Sequence, residues 1–130
     1  MLSAIDTNIL VRLIVQDDER QLAIITTLLD DGELQANLSV VLETEWVLRS
    51  RFQYDRERIY SAFASLLDLQ GLEFEFADVF EWALGQYRHG ADFGDMIHLA
   101  TAREADRFLT FDRGLASSAG QNSPVAVETI

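Results

Sequence analysis

Short apolar runs alternate along this chain with longer segments of helical period, and that alternation is what most narrows its fold. Residues 2–5, 34–38, 72–76, 108–111 and 125–127 read as strands. Between them, residues 8–15, 19–29, 39–51, 56–67, 78–88 and 93 to about 105 read as helices, with apolar side chains returning every three or four positions. Asp30-Asp31-Gly32 and His89-Gly90 supply stop signals, and Ser39 and Asp92 are candidate helix caps. Strands separated by helices imply a parallel sheet with helices packed on its faces, hence a three-layer α/β/α domain with a central parallel sheet. No linker, repeat or low-complexity tract interrupts the pattern, so residues 1–130 are expected to form a single domain. In such folds the site lies at the carboxyl ends of the strands.

Composition closes off several chemistries. The chain carries 22 Asp+Glu against 10 Lys+Arg, a formal charge of −12, yet 48% of it is hydrophobic, which excludes a disordered acidic tail. Every basic residue is arginine. Without lysine there is no phosphate-binding GK[ST] loop and no Schiff base. Without cysteine there is no disulfide and no thiolate metal site. No apolar run reaches the roughly 18 residues of a membrane span. The first residues lack a basic n-region, so no signal peptide is expected and a cytoplasmic location is.

Acids stand where the site should be. Asp6 follows the first apolar run directly, and Asp112 follows Phe108-Leu109-Thr110-Phe111 in the same way. Asp92 and Asp95 are three apart at a helix start and share a face. Glu43 sits in an apolar helical turn with Ser39 and Val47 at four residues either side, so it has no helical ion pair. Glu45, with Arg49 four residues on, reads instead as a solvated surface pair. Singly, each aspartate has an ordinary account as a turn or cap residue. Together, carboxylates at one site need a cation between them, and Mg²⁺ or Mn²⁺ suits oxygen donors.

These residues resemble a known family. Ala4-Ile5-Asp6-Thr7-Asn8, Leu42-Glu43-Thr44-Glu45-Trp46-Val47-Leu48, Ala91-Asp92-Phe93-Gly94-Asp95-Met96-Ile97-His98-Leu99-Ala100 and Leu109-Thr110-Phe111-Asp112 look, in order and spacing, like the motifs of a PIN domain. Within that family the chain resembles a VapC-type toxin of a toxin–antitoxin pair. The resemblance implies a PIN-like fold and a Mg²⁺- or Mn²⁺-dependent ribonuclease that hydrolyses phosphodiester bonds through metal-activated water. Asp6, Glu43, Asp95 and Asp112 match the family's acidic positions. Asp6, Asp95, Asp112 and the additional Asp92 are the candidate metal ligands. Asn8 and Thr110 match polar positions that support the acids. The resemblance also implies an RNA substrate, a cognate antitoxin protein and a homodimer.

The remaining features fit around that reading. Arg49, Arg51, Arg56 and Arg58 lie within ten positions. Arg49 and Arg51 are candidate RNA-backbone contacts, because arginine binds phosphate bidentately; a solvated face balanced by Asp55 and Glu57 is the alternative. His98, in a largely apolar turn, reads as a packing residue, and His89 as a helix end. Ile9, Leu10, Leu13 and Ile14, like Phe76, Phe80 and Trp82, read as core or interface. Receiver domains and haloacid-dehalogenase-type phosphatases share the alternation and the first aspartate, but both rely on a lysine that this chain lacks. A catalytically silent PIN-like interaction module is the rival of a different class.

Overall fold

A computed structural model describes residues 1–130. The chain divides into two compact units, Met1–Ala77 and Asp78–Ile130.

The first unit carries a three-stranded parallel sheet in the order β1-β2-β3. Strand β1 (Leu2–Ile5) leads into helices α1 (Thr7–Val15) and α2 (Glu19–Asp31), which return the chain to β2 (Glu33–Ala36). Helices α3 (Leu38–Arg51) and α4 (Arg56–Leu67) then carry it to β3 (Leu72–Phe74). Leu2 pairs with Glu33 and Ile5 with Ala36, while Leu34 pairs with Leu72. Each connection is a helical crossover because parallel neighbours cannot be joined by a tight turn. Leu10, Val11, Val41, Leu48, Ile59 and Phe63 are sealed from solvent and form the core of this unit. Gly71 enables the entry to β3. Its φ is +92°, and a Cβ there would stand 2.8 Å from the Leu29 carbonyl oxygen. Its own carbonyl accepts from Leu34 N at 2.8 Å.

The second unit contains α5 (Ala77–Arg88, whose first residue lies at the boundary), α6 (Phe93–Thr101), β4 (Phe108–Thr110), α7 (Leu115–Ala119) and β5 (Val127–Thr129). β4 and β5 pair in parallel, Phe108 with Val127 and Thr110 with Thr129. Phe93 holds α6 on α5: its ring meets Phe80 edge-on at 6.3 Å and Tyr87 edge-on at 5.3 Å. Such aromatic pairs add directionality to ordinary apolar burial.

Most elements occupy the positions expected, and the differences have local causes. Residue 38 starts α3 rather than ending β2, and Asn37, not Ser39, occupies the cap position. Asn37 makes no side-chain cap bond; instead Leu38 N donates to the Glu75 carboxylate at 3.4 Å. β3 stops at Phe74, since Phe76 takes a left-handed φ of 51° and is 52% exposed, so it is not core. α6 ends at Thr101, and residues to Ala105 continue only as turns. The last strand lies at 127–129 rather than 125–127, because Val125 and Ala126 belong to the approach, where the Ala126 carbonyl accepts from Phe108 N at 2.7 Å. The short helix α7 was not expected from periodicity, having only five residues.

Candidate active site

In the first unit, two candidate acids are set by hydrogen bonds to neighbouring groups. Asp6 is the N-cap of α1. Its Oδ1 accepts from Ile9 N at 3.1 Å, while the residue itself is exposed. An aspartate in that position satisfies one of the helix's unpaired N–H groups and places its charge at the positive end of the dipole. The bond fixes the side chain through Oδ1 and leaves the second oxygen available. Glu43 is exposed on α3, and its Oε1 accepts a 2.5 Å hydrogen bond from the Thr7 hydroxyl. Thr7 itself is only 8% exposed. A buried hydroxyl thus anchors one oxygen of an exposed carboxylate.

Thr7 was missed by sequence reasoning, although it lies inside the Asp6-Thr7-Asn8 motif. Its side chain is turned into the fold, and no local pattern distinguishes that from a solvated threonine. Asn8 is exposed. With Asp6, Ile9 and Arg12 it lines a cleft of about 250 Å³ that continues over Ile24 and Leu28 of α2. Arg12 is ion-paired with Asp17.

The two glutamates of α3 reverse part of the sequence reading. Glu43 is open to solvent as a site acid should be, but Glu45 is not solvated: it is 4% exposed. Arg49 compensates it, with Nε 2.9 Å and Nη2 3.4 Å from its two oxygens. A buried carboxylate without such a partner would be strongly destabilising. Arg49 is therefore committed to an internal acid, whereas the Arg51 guanidinium stands over the Trp46 ring at 5.9 Å. Arg58 similarly covers Tyr54 at 3.8 Å.

The second unit brings three more aspartates into electrostatic contact. Asp92 is the N-cap of α6, its Oδ1 accepting from Asp95 N at 2.9 Å. Asp112, just past β4, is held from both sides. Its N–H donates to the Thr110 hydroxyl at 2.9 Å, and its Oδ1 accepts from Gly114 N at 2.8 Å. Asp95 lies between these influences, in the first turn of α6 and half-buried. Burial, and then the negative charges of Asp92 and Asp112, push its pKa above the ordinary carboxylate value, with His98 pulling weakly the other way. His98 is exposed rather than packed, because it faces away from Met96, Ile97 and Leu99 on its own helix. Like charges crowded around a half-buried carboxyl are an unfavourable arrangement, retained most often where function requires it.

The donor chemistry suits a hard divalent cation: every candidate ligand is a carboxylate, and Asp6, Asp92 and Asp112 each engage only one oxygen with the backbone. No three or more of the His, Asp and Glu side chains are grouped so that they could by themselves hold a metal ion.

The chain matches the PIN domain family over residues 4–120, a stretch that includes every one of these acids. It belongs to that family, whose members are nuclease-type domains and typically use a divalent metal. No curated protein and no solved structure matches it. The α/β class with parallel strands, expected from the alternation, is the class of the family and of both sheets. No helix is long and apolar enough to cross a membrane.

Proposed function

We propose that this PIN domain, acting as one domain over residues 1–130, is a Mg²⁺- or Mn²⁺-dependent ribonuclease and the toxin of a VapC-type toxin–antitoxin pair. The observation that carries the reading is Asp95. Burial and two neighbouring aspartates make its charged form costly, and His98 offsets that only weakly. A divalent cation would reverse that penalty. Asp95, Asp112 and Asp92 are the residues of the second unit that would hold it, and Asp6 is a further ligand by the family resemblance alone. Once bound, the cation would acidify a water and offset negative charge gathering on the phosphate.

The chain's own groups do the rest. Hydrolysis adds a water oxygen to phosphorus as the bond to the leaving ribose oxygen breaks. Glu43 receives and orients the attacking water's proton, and the Thr7 hydroxyl keeps its carboxylate in place. The Gly114 N–H holds the Asp112 carboxylate, and the Thr110 hydroxyl holds its backbone N–H. Asp92 starts α6 and so fixes where Asp95 projects. The antitoxin and the homodimer are carried by the family resemblance. The cleft beside Asp6, rimmed by the exposed Ile24 and Leu28, supports a partner segment lying there.

The test is cleavage of labelled single-stranded RNA and of the matching DNA by antitoxin-free protein, with Mg²⁺, Mn²⁺ or EDTA. Metal-dependent cutting of RNA alone is expected. Cutting that persists in EDTA would contradict the metal dependence, and no cutting together with no metal binding by calorimetry would favour the silent interaction module.

A further inference from the structure

The loop that presents Asp112 has two features that the chemistry of its carboxylate does not use. Phe111 is 82% exposed, more than any other large hydrophobic residue apart from the terminal Met1. It does not belong to the core of its unit, where Phe80 and Phe93 are sealed, and it stacks on no other ring. Arg113, on the other side of Asp112, is exposed and makes no ion pair. Arg12, Arg49, Arg103 and Arg107, by contrast, each hold a carboxylate. The segment between them is pinned by the Thr110–Asp112 and Asp112–Gly114 hydrogen bonds, so the ring and the guanidinium are carried on a fixed turn.

We propose that Phe111 and Arg113 form a nucleotide clamp on either side of Asp112, the ring stacking on an unpaired base and the guanidinium taking an adjoining phosphate. The proposal rests on the ribonuclease reading for its choice of RNA. Its physical basis is independent: every base has a face that can stack on an aromatic ring, and arginine pairs with phosphate oxygens in a fork. An exposed ring favours single strands, because the bases of a duplex are already stacked on one another. The clamp also offsets the chain's overall charge. A net charge of −12 repels a polyanion at long range, so attraction has to be supplied locally by stacking and by cations free of internal partners.

Fluorescence anisotropy with a labelled single-stranded octaribonucleotide, and with the same strand built from abasic ribose-phosphate units, tests the clamp. Both are measured in the Asp6→Asn background so that the strand stays uncut. Phe111→Ala should weaken binding of the base-bearing strand by about 5- to 150-fold, the equivalent of one lost base–aromatic stack. It should leave the abasic strand unaffected, and Phe111→Trp should retain affinity. Arg113→Ala should weaken both strands and reduce the slope of log K against log salt by about 0.7, one phosphate's worth. Equal affinity of Phe111→Ala and its parent for the base-bearing strand would overturn the proposal. So would a change in oligomeric state by light scattering without a change in RNA affinity, which would make Phe111 a protein interface. Base-dependent binding by a chain that cuts no RNA in any metal would support the clamp and count against the nuclease.

Discussion

Replacing Asp6 by asparagine and, separately, by alanine distinguishes two jobs that one carboxylate performs. As the N-cap of α1, Asp6 accepts a hydrogen bond from Ile9 N at 3.1 Å. Asparagine caps about as well as aspartate, so Asp6→Asn forfeits only the interaction of the charge with the helix dipole, about 0.5 kcal/mol at an exposed position. Asp6→Ala also loses the cap, and the total is about 1–2 kcal/mol. Unfolding entropy of about 2.1 cal/mol/K per residue, over 130 residues, makes 1 kcal/mol worth about 4 °C in Tm. The asparagine variant should therefore melt within about 2 °C of the parent and the alanine variant about 4–8 °C below it. Activity should not follow stability. Under the proposed function both variants lose a charged metal ligand, whose loss at several kcal/mol of transition-state stabilisation removes about 10²-fold or more of the cleavage rate. Thermal melts by circular dichroism and initial rates on one labelled RNA measure the two effects side by side. An asparagine variant that melts and cuts like the parent, beside an alanine variant impaired in both, would show that Asp6 is only a cap.

The same logic applies to Asp92: Asp92→Asn should preserve the Asp95 N–H bond and the melting temperature, so any loss of Mg²⁺ affinity by calorimetry identifies it as a ligand. Asp95→Asn should stabilise the metal-free protein. The folded state holds the Asp95 proton more tightly than the unfolded chain does, so the wild type loses stability as pH rises from 3.8 through the raised folded pKa. The mutant's advantage is therefore complete above that pKa and vanishes below 3.8, and urea titrations across pH 3–7 that showed a constant or reversed difference would contradict the assignment. Thr7→Val should lower the cleavage rate by about 10-fold while Thr7→Ser keeps it, because serine retains the hydroxyl that holds Glu43; equal rates for the two would detach Thr7 from the site. Phe93→Ala should cost about 3–5 kcal/mol in chemical denaturation through loss of its contacts with Phe80 and Tyr87.

The elements were legible where one residue type dominates a local decision. α4 runs from Arg56 to Leu67 as periodicity predicts, and Asp92 caps α6 as its place before an apolar helix suggests. Boundaries slipped where the deciding contact is distant in sequence. Leu38 joins a helix because Glu75, 37 residues away, accepts its N–H. Phe76 leaves its strand because its backbone turns left-handed. The five-residue α7 is too short for periodicity to register. The local settings of Asp6, Asp92 and Asp112 could be read because caps and strand ends are local features. What surrounds them could not. That Glu45 rather than Glu43 would be buried depends on which face of α3 meets the core, and its alternation of polar and apolar residues does not mark one. The Thr7–Glu43 bond joins residues 36 apart, and only folding brings them together.

These carboxylates are proposed to bind a divalent cation in order to cut RNA. The most direct measurement is the rate of RNA cleavage by the wild type and by Asp6→Asn, Glu43→Gln, Asp95→Asn and Asp112→Asn, in Mg²⁺, Mn²⁺ and EDTA, with each variant's fold checked by its melting temperature. If the proposal holds, the wild type cleaves with either metal and not in EDTA, and every folded variant loses about 10²-fold or more. Cleavage that is indifferent to EDTA, or that survives in the folded variants, would contradict it.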